Sequence, residues 1–76
     1  MTDVLFPLMS GADDATGVIA TWFVESGDEV TPATLIAEVA MDKVDAEVYP
    51  ETSGVITLLV EEKKEVPQGT VIAQVT

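Results

Sequence analysis

Short apolar runs alternate with polar segments that contain glycine, proline or acidic residues along the whole chain. Runs rich in valine, isoleucine, leucine and threonine with such boundaries are typical of β-strands. Helical periodicity does not persist over about ten residues anywhere, because glycine or proline interrupts the chain at close intervals. The pattern predicts strands at residues 4–6, 18–24, 35–40, 44–49, 55–60 and 71–75, with short bridging strands near Val30 and Val66.

An internal repeat organises these strands. Residues 22–39 and 58–75 share eight identities in eighteen aligned positions. Such a repeat indicates two copies of one structural unit that bury their apolar faces against each other. We therefore predict a single domain, residues 1–76, made of pseudo-repeats at about 1–39 and 44–76 that a turn at 40–43 joins.

The match continues upstream of the repeat core, with two irregularities. GVIA at Gly17 aligns with GVIT at Gly54 after a one-residue slip, and LFP ending at Pro7 aligns with VYP ending at Pro50. Between proline and glycine the first copy has nine residues and the second has three, so the first copy carries a longer loop at residues 8–16. The predicted fold class is all-β, a flattened barrel or sandwich. Its core is expected to hold all the aromatic side chains, which are Phe6, Trp22, Phe23 and Tyr49.

Composition excludes most kinds of active site. The chain has no cysteine and no histidine, which removes disulfides, thiolate nucleophiles and the commonest general base and metal ligand. Asp13 and Asp14 lack the ligand spacing of a calcium loop, so no metal site is predicted. The formal net charge of −11 opposes binding to nucleic acid or to anionic membranes, and no apolar run approaches the ~20 residues of a membrane span.

Lys43 stands out in this acidic background. The chain has three lysines and no arginine, and Lys43 lies in the turn between the two copies, within Met41-Asp42-Lys43-Val44. Without glycine or asparagine, this turn is predicted to be of type I, with Asp42 and Lys43 at its tip. Neighbouring carboxylates stabilise the charged ammonium, which disfavours a catalytic amine. Lys43 is therefore interpreted as an exposed acceptor for a modifying enzyme, and Lys63 and Lys64 as ordinary solvated charges.

The chain resembles the biotinyl/lipoyl carrier domain family over essentially its whole length. The resemblance rests on LFP near the start, Gly17-Val-Ile followed by Trp22, GDEV from Gly27, DKV around Lys43, and YPETSGVI leading into the second copy. It implies a flattened barrel of two four-stranded antiparallel sheets with quasi-two-fold symmetry. It also implies that Lys43 is the attachment residue, flanked in the turn by Met41, Asp42 and Val44.

The residues beside the lysine separate two cofactors within that family. Biotin carriers typically have methionine on both sides of the lysine, whereas lipoyl domains typically have aspartate before it and a small or branched apolar residue after it. Asp42 and Val44 match the lipoyl pattern, and Met41 lies one place too early for the biotin motif. The resemblance therefore implies lipoate, covalently attached as lipoyl-lysine. A biotin carrier domain of a carboxylase or decarboxylase is the alternative, and an unmodified acidic interaction module is a third.

Lipoyl domains serve the 2-oxo acid dehydrogenase complexes. The resemblance implies a non-catalytic swinging-arm carrier that passes acyl groups and reducing equivalents between active sites. Its partners would be a lipoate ligase or octanoyl transferase, a thiamine-dependent 2-oxo acid decarboxylase, an acyltransferase core and dihydrolipoamide dehydrogenase. The loop at residues 8–16 would contribute to recognition by the decarboxylase. The isolated domain is expected to be monomeric, and to work in the bacterial cytoplasm or in the mitochondrial matrix.

Overall fold

The computed structural model describes residues 1–9, 11, 15–41 and 43–76. Every predicted strand is present there, with ends that differ from the prediction by two residues at most. No helix in these ranges is long and apolar enough to span a membrane. The strands are β1 (Thr2–Leu5), β2 (Thr16–Trp22), β3 (Glu29–Val30), β4 (Ala37–Met41), β5 (Val44–Val48), β6 (Gly54–Leu58), β7 (Glu65–Pro67) and β8 (Val71–Val75).

The strands form two four-stranded antiparallel sheets, ordered β1-β8-β6-β3 and β5-β4-β2-β7. Replacing each strand of the first sheet by the strand four places away in the chain reproduces the second sheet. The two sheets are thus related by a pseudo-two-fold axis, as the repeat indicates. This confirms the all-β fold class, and because β1 and β5 remain edge strands, the fold is a sandwich and not a closed barrel.

A β-bulge accounts for the one-residue slip in the repeat. In the pairing of β2 with β4, Ile19 lies opposite Val39 and Thr21 lies opposite Glu38, which leaves Ala20 as the extra residue. The equivalent pairing of β6 with β8 continues without interruption from Ile56 to Leu58. A bulge adds one residue to one strand and restores the inward and outward alternation beyond it.

The core is built from equivalent residues of the two halves. Five buried positions of one copy have a buried counterpart in the other, and all of them belong to one hydrophobic cluster. Phe6 is the largest fully buried side chain. The equivalent pairs are Ile19 and Ile56, Val30 and Val66, Ile36 and Ile72, Ala37 and Ala73, and Val39 and Val75, all buried.

The aromatic residues do not all enter this core. Phe6 does, and Trp22 packs against the core while its Nε1–H donates to the Val60 carbonyl oxygen over 2.9 Å. The prediction is wrong for Phe23, which is 53% exposed, and for Tyr49, which is 45% exposed. Phe23 follows inward-packing Trp22 directly, and neighbouring residues in an extended chain face opposite sides.

The exposure of Tyr49 reflects an error of one residue in the upstream alignment. Val4 pairs with Ala73 and Val48 pairs with Ala37, so Val4 and Val48 are the equivalent positions. Tyr49 then corresponds to the exposed Leu5 and not to Phe6. Because the side-chain period of a strand is two, a shift of one residue moves a side chain to the other face.

Candidate functional site

The turn that carries Lys43 closes a regular β-hairpin. Strands β4 and β5 pair without a bulge, from Ala37 opposite Val48 to Met41 opposite Val44, and two residues connect them. We call β4, β5 and this connection the lysine hairpin. Lys43 does not have a positive φ, which excludes turns of type I′ and type II, both of which need one at this position. The other tip residue, Asp42, lies outside the described residues.

The base of the lysine hairpin is anchored in the core. Met41, the last residue of β4, is buried, whereas Val44, the first of β5, is exposed. Gly17 in β2 packs so closely that a Cβ atom there would lie 2.7 Å from the Ala40 carbonyl oxygen and would also collide with the Phe6 ring. In the second half, Gly54 approaches the Thr76 carbonyl oxygen in the same way. The lysine is thus presented by a hairpin whose base is tightly packed.

The described surroundings of Lys43 are open to solvent and acidic. Lys43 is exposed, and it forms no hydrogen bond or ion pair with another residue in the part of the chain that the structure describes. Asp45 and Glu47 follow along β5 and are exposed as well. An exposed primary amine at the end of a hairpin is accessible to a modifying enzyme. Its reaction with an activated carboxyl group would form an amide and displace a leaving group.

The lysine hairpin and the chain ends lie at opposite ends of the molecule. Thr2 pairs with Val75, so both termini are together at one end. From there β1 runs to Phe6, which contacts Gly17 beside Ala40 at the base of the lysine hairpin. The Cα positions extend over 32 × 19 × 19 Å. The position of the hairpin agrees with the one expected from the repeat.

The loop at residues 8–16 begins and ends at the hairpin end. Leu8, just after Phe6, is largely exposed. Gln68 ties both sides of the loop, because its Oε1 accepts from Met9 N–H over 3.0 Å and its own N–H donates to the Ala15 carbonyl oxygen over 3.0 Å. Ser10 and residues 12–14, which include Asp13 and Asp14, lie outside the described residues. Elsewhere in the described ranges, no three acidic side chains are grouped as metal ligands.

The other two lysines are exposed, as predicted, and lie in the loop between β6 and β7. This loop mirrors the one between β2 and β3. Gly27 N–H donates to the Ile56 carbonyl oxygen, and Lys63 N–H donates to the Ile19 carbonyl oxygen, each over 2.8 Å. Gly27 has a φ of 100° and Lys63 has a φ of 70°. Lys63 thus adopts a left-handed conformation, which favours glycine.

Sequence reasoning missed one surface feature, a groove of about 230 Å³ between edge strands β1 and β5. Val4 and Val48 line it, with Leu5 and Tyr49 also contributing. The two strands belong to different sheets, and neither pairs with the other. The equivalence of Val4 with Val48 is the sequence signal that could have located the groove. The alignment of LFP with VYP instead matches Leu5 with Val48, an error of one residue.

Comparisons with known proteins bear on the hairpin. A family model for biotinyl and lipoyl attachment, described as "Biotin-requiring enzyme", matches residues 3–75. The lipoamide acyltransferase component of the branched-chain alpha-keto acid dehydrogenase complex of Bacillus subtilis (strain 168) is 45% identical over 53 residues. That alignment covers 70% of this chain but only 12% of the relative's length.

A solved structure matches over the whole domain. The solution structure of the lipoyl domain of the 2-oxoglutarate dehydrogenase complex from Azotobacter vinelandii superposes with a TM-score of 0.81 and 31% sequence identity. The match covers 100% of this chain and 96% of the other. The fold of this chain therefore corresponds to that of the lipoyl domain over the whole length compared.

Proposed function

The chain belongs to the family of biotinyl- and lipoyl-attachment domains, and on that basis we propose that Lys43 carries the attached group through an amide at Nζ. The observation that carries the proposal is the position of Lys43 at the exposed tip of a two-residue hairpin connection. Lys63 and Lys64 are exposed too, but their loop packs back onto the other half of the domain through the hydrogen bond to Ile19. Lys43 lies instead in the connection of the lysine hairpin, at the end of the molecule opposite the paired termini.

Lipoate is the proposed group. Asp42 precedes the lysine and branched Val44 follows it, where a biotin carrier typically has methionines. The two relatives described above, a lipoamide acyltransferase component and a lipoyl domain, support the same choice. When attached, the dithiolane of lipoate supplies a disulfide that can be reduced as it accepts an acyl group and reoxidised once that group has left. The family also includes biotin carriers, so biotin on Lys43 is the second candidate.

The chain's own residues would position the group and shape its electrostatic surroundings. The buried Met41 and the close approach of Gly17 to Ala40 fix the base of the hairpin, so the flexible part of the arm starts at the lysine side chain. Amide formation removes one positive charge and takes the formal net charge from −11 to −12. The modified tip would then carry only the carboxylates beside it, which favours basic entrances on the enzymes visited.

The proposed role is a non-catalytic swinging arm of a 2-oxo acid dehydrogenase complex. A lipoate ligase or octanoyl transferase would load Lys43, after which a thiamine-dependent decarboxylase, an acyltransferase core and dihydrolipoamide dehydrogenase would be visited in turn. A hairpin opposite the termini suits this role, because a tether at one end leaves the other free to enter deep active sites and raises the local concentration of the arm there. The proposed compartment is that of the complex, the bacterial cytoplasm or the mitochondrial matrix.

Intact-mass measurement tests the assignment. The chain is coexpressed with a lipoate ligase and with a biotin ligase in parallel, and the modified peptide is sequenced. We expect one lipoyl adduct on Lys43, none in Lys43→Arg, and an unaltered adduct in the double variant Lys63→Arg and Lys64→Arg. Lys43→Arg keeps the charge, so its thermal unfolding should match the parent within about 0.5 kcal/mol.

Three results would contradict parts of the proposal. A biotin adduct without a lipoyl adduct under matched conditions would establish the second candidate. A lipoyl group on Lys63 or Lys64 would refute Lys43 as the sole acceptor. No adduct with either ligase, from a folded chain, would favour the unmodified interaction module.

A further inference from the structure

The groove between β1 and β5, which we call the seam groove, lies across the pseudo-two-fold axis. Val4 and Val48 occupy equivalent positions, one in each sheet. Both are buried, and both contribute to the apolar part of the lining. Leu5 and Tyr49 are likewise equivalent and are 51% and 45% exposed. Two of the large exposed apolar side chains of the domain thus lie beside one concave surface.

The surroundings of the seam groove are acidic. Asp3, Glu47 and Glu51 line it together with the apolar side chains, and the lining contains no cation. The groove therefore combines apolar side chains with carboxylates in one lining. A complementary ligand needs an apolar group and at least one positive charge.

The two halves of the groove differ in the residue that lies opposite the carboxylate on the neighbouring strand. Asp3 lies opposite Gln74, and Gln74 Nε2 donates to Asp3 Oδ1 over 3.0 Å. At the equivalent place in the other sheet, Glu47 lies opposite Glu38. Like charges directly opposite on neighbouring strands are destabilising, so the Glu38–Glu47 pair lacks the stabilisation that Gln74 gives to Asp3. A cation supplied by a partner would relieve this repulsion on the β5 side.

We propose that the seam groove binds an extended, basic segment of a partner protein. One apolar side chain of the segment would enter between Val4 and Val48, covered by Leu5 and Tyr49. A lysine or arginine side chain would pair with Glu47 or Glu51, both of which line the groove. Both β1 and β5 are edge strands, so each has a backbone edge that a docked strand can pair with. The inference holds whichever group Lys43 carries.

Charge and size distinguish this occupant from others. A second copy of the chain, with a net charge of −11, would be repelled by the carboxylates of the groove, and so would nucleic acid. A volume of about 230 Å³ exceeds the ~150 Å³ of an apolar cavity that accepts benzene, so one large side chain fits. It is smaller than the roughly 300–1,000 Å³ of pockets for drug-sized ligands.

The test uses the 76-residue chain and three capped heptapeptides. The peptides alternate lysine with leucine, lysine with serine, and glutamate with leucine. Amide chemical shifts of the isotope-labelled chain locate each peptide, and the titration yields Kd. We expect the lysine–leucine peptide to shift residues 2–7 and 46–51 selectively. It should bind about tenfold more tightly than the lysine–serine peptide, because only leucine supplies an apolar side chain to bury, and the glutamate–leucine peptide should not bind.

Matched variants separate the groove from the general charge of the domain. Leu5→Ser should weaken binding of the lysine–leucine peptide about tenfold, whereas Leu59→Ser, which alters an equally exposed leucine outside the groove, should not. Replacing Glu47 and Glu51 by glutamine should weaken binding more than the same change at Glu61 and Glu65, which have the same spacing. If Leu5→Ser fails to fold, Tyr49→Ser replaces it.

Several outcomes would overturn the proposal. Equal weakening by the two glutamine pairs, or shifts spread over the whole acidic surface, would show only long-range attraction. Equal affinity of the lysine–leucine and lysine–serine peptides would show that the apolar lining is not used. If the glutamate–leucine peptide bound more tightly than the lysine–leucine peptide, the groove would bind an apolar ligand without a positive charge. If the chemical shifts changed with the concentration of the chain alone, the occupant would be a second copy of the chain. None of these readouts depends on modification of Lys43, so they are independent of the proposed function.

Discussion

Replacing Lys63 by glycine should stabilise the domain. Among the described non-glycine residues, only Lys63 has a positive φ, at 70°, and its repeat counterpart Gly27 has a φ of 100°. Both residues donate their backbone N–H to the opposite half over 2.8 Å, Lys63 to Ile19 and Gly27 to Ile56. The hydrogen bond therefore requires the same backbone conformation in both loops. In one loop glycine adopts this conformation, and in the other a lysine, which has a Cβ atom, adopts it.

The magnitude follows from two opposing terms. A residue with a Cβ in the left-handed conformation costs roughly 1–2 kcal/mol, which glycine does not incur. Glycine in turn makes the unfolded chain more flexible, which costs about 0.4–1 kcal/mol. The midpoints of the two ranges, about 1.5 and about 0.7 kcal/mol, leave a net gain of about 0.8 kcal/mol for Lys63→Gly. For a domain of this size, that corresponds to a rise in Tm of roughly 3–6 °C.

Lys64→Gly is the matched control. It removes the same charge from the same loop, but Lys64 does not have a positive φ, so only the flexibility cost remains. We expect it to lower the free energy of unfolding by about 0.4–1 kcal/mol. Urea unfolding of both variants followed by Trp22 fluorescence, at low and at high salt, measures the difference. A Lys63→Gly variant no more stable than Lys64→Gly would refute the reasoning, because the left-handed conformation would then carry no cost.

Three further changes test other parts of the structure. Gly17→Ala should lower the free energy of unfolding by about 1–3 kcal/mol because its Cβ would meet a backbone oxygen. Among the described residues, a Cβ on Gly11 would meet nothing within 4 Å, so Gly11→Ala is the control. Chemical denaturation compares the two variants, and equal effects would contradict the close packing at Gly17. Deleting the bulge residue Ala20 should leave a folded domain, whereas deleting Thr57 from unbulged β6 should disrupt the fold by reversing the side-chain alternation. Circular dichroism and thermal melts compare the two variants. If the variant without Ala20 were the less stable one, the bulge would not be the source of the slip. Shortening residues 8–16 to three residues should preserve lipoylation but slow reductive acylation by the cognate decarboxylase; an unchanged rate in the fully lipoylated variant would exclude the loop from recognition.

The strands and their division into two equivalent halves could be predicted because the chain contains two copies of one sequence unit. A single copy of WFVESGDEV or LLVEEKKEV indicates only strand and turn, but two copies in register indicate two equivalent sheets. The one-residue slip at Gly17 and Gly54 was visible in the sequence, and the bulge at Ala20 is its physical cause. The position of Lys43 at the tip followed from the same reasoning.

What could not be predicted depends on single-residue register and on contacts across the seam. Phe23 and Tyr49 are aromatic and were expected in the core, but the alternation set by their neighbours turns them outward. Burial follows from the face on which a residue lies, and residue type alone does not determine that face. The seam groove arises between β1 and β5, which belong to different sheets. The sequence indicates it only through the equivalence of Val4 with Val48, which the alignment of LFP with VYP misplaces by one residue.

The pairing of Thr2 with Val75 has a mechanical consequence. A force applied through the two ends of the domain would act on adjacent residues of antiparallel strands, perpendicular to the strands. The hydrogen bonds between β1 and β8 would then open one after another, as in a zipper, and would not share the load as they do in shear. A pull between Lys43 and either end would instead act along the paired strands β4 and β5 and load many hydrogen bonds together. The same domain should therefore be compliant when stretched between its ends and stiff when pulled by its lysine.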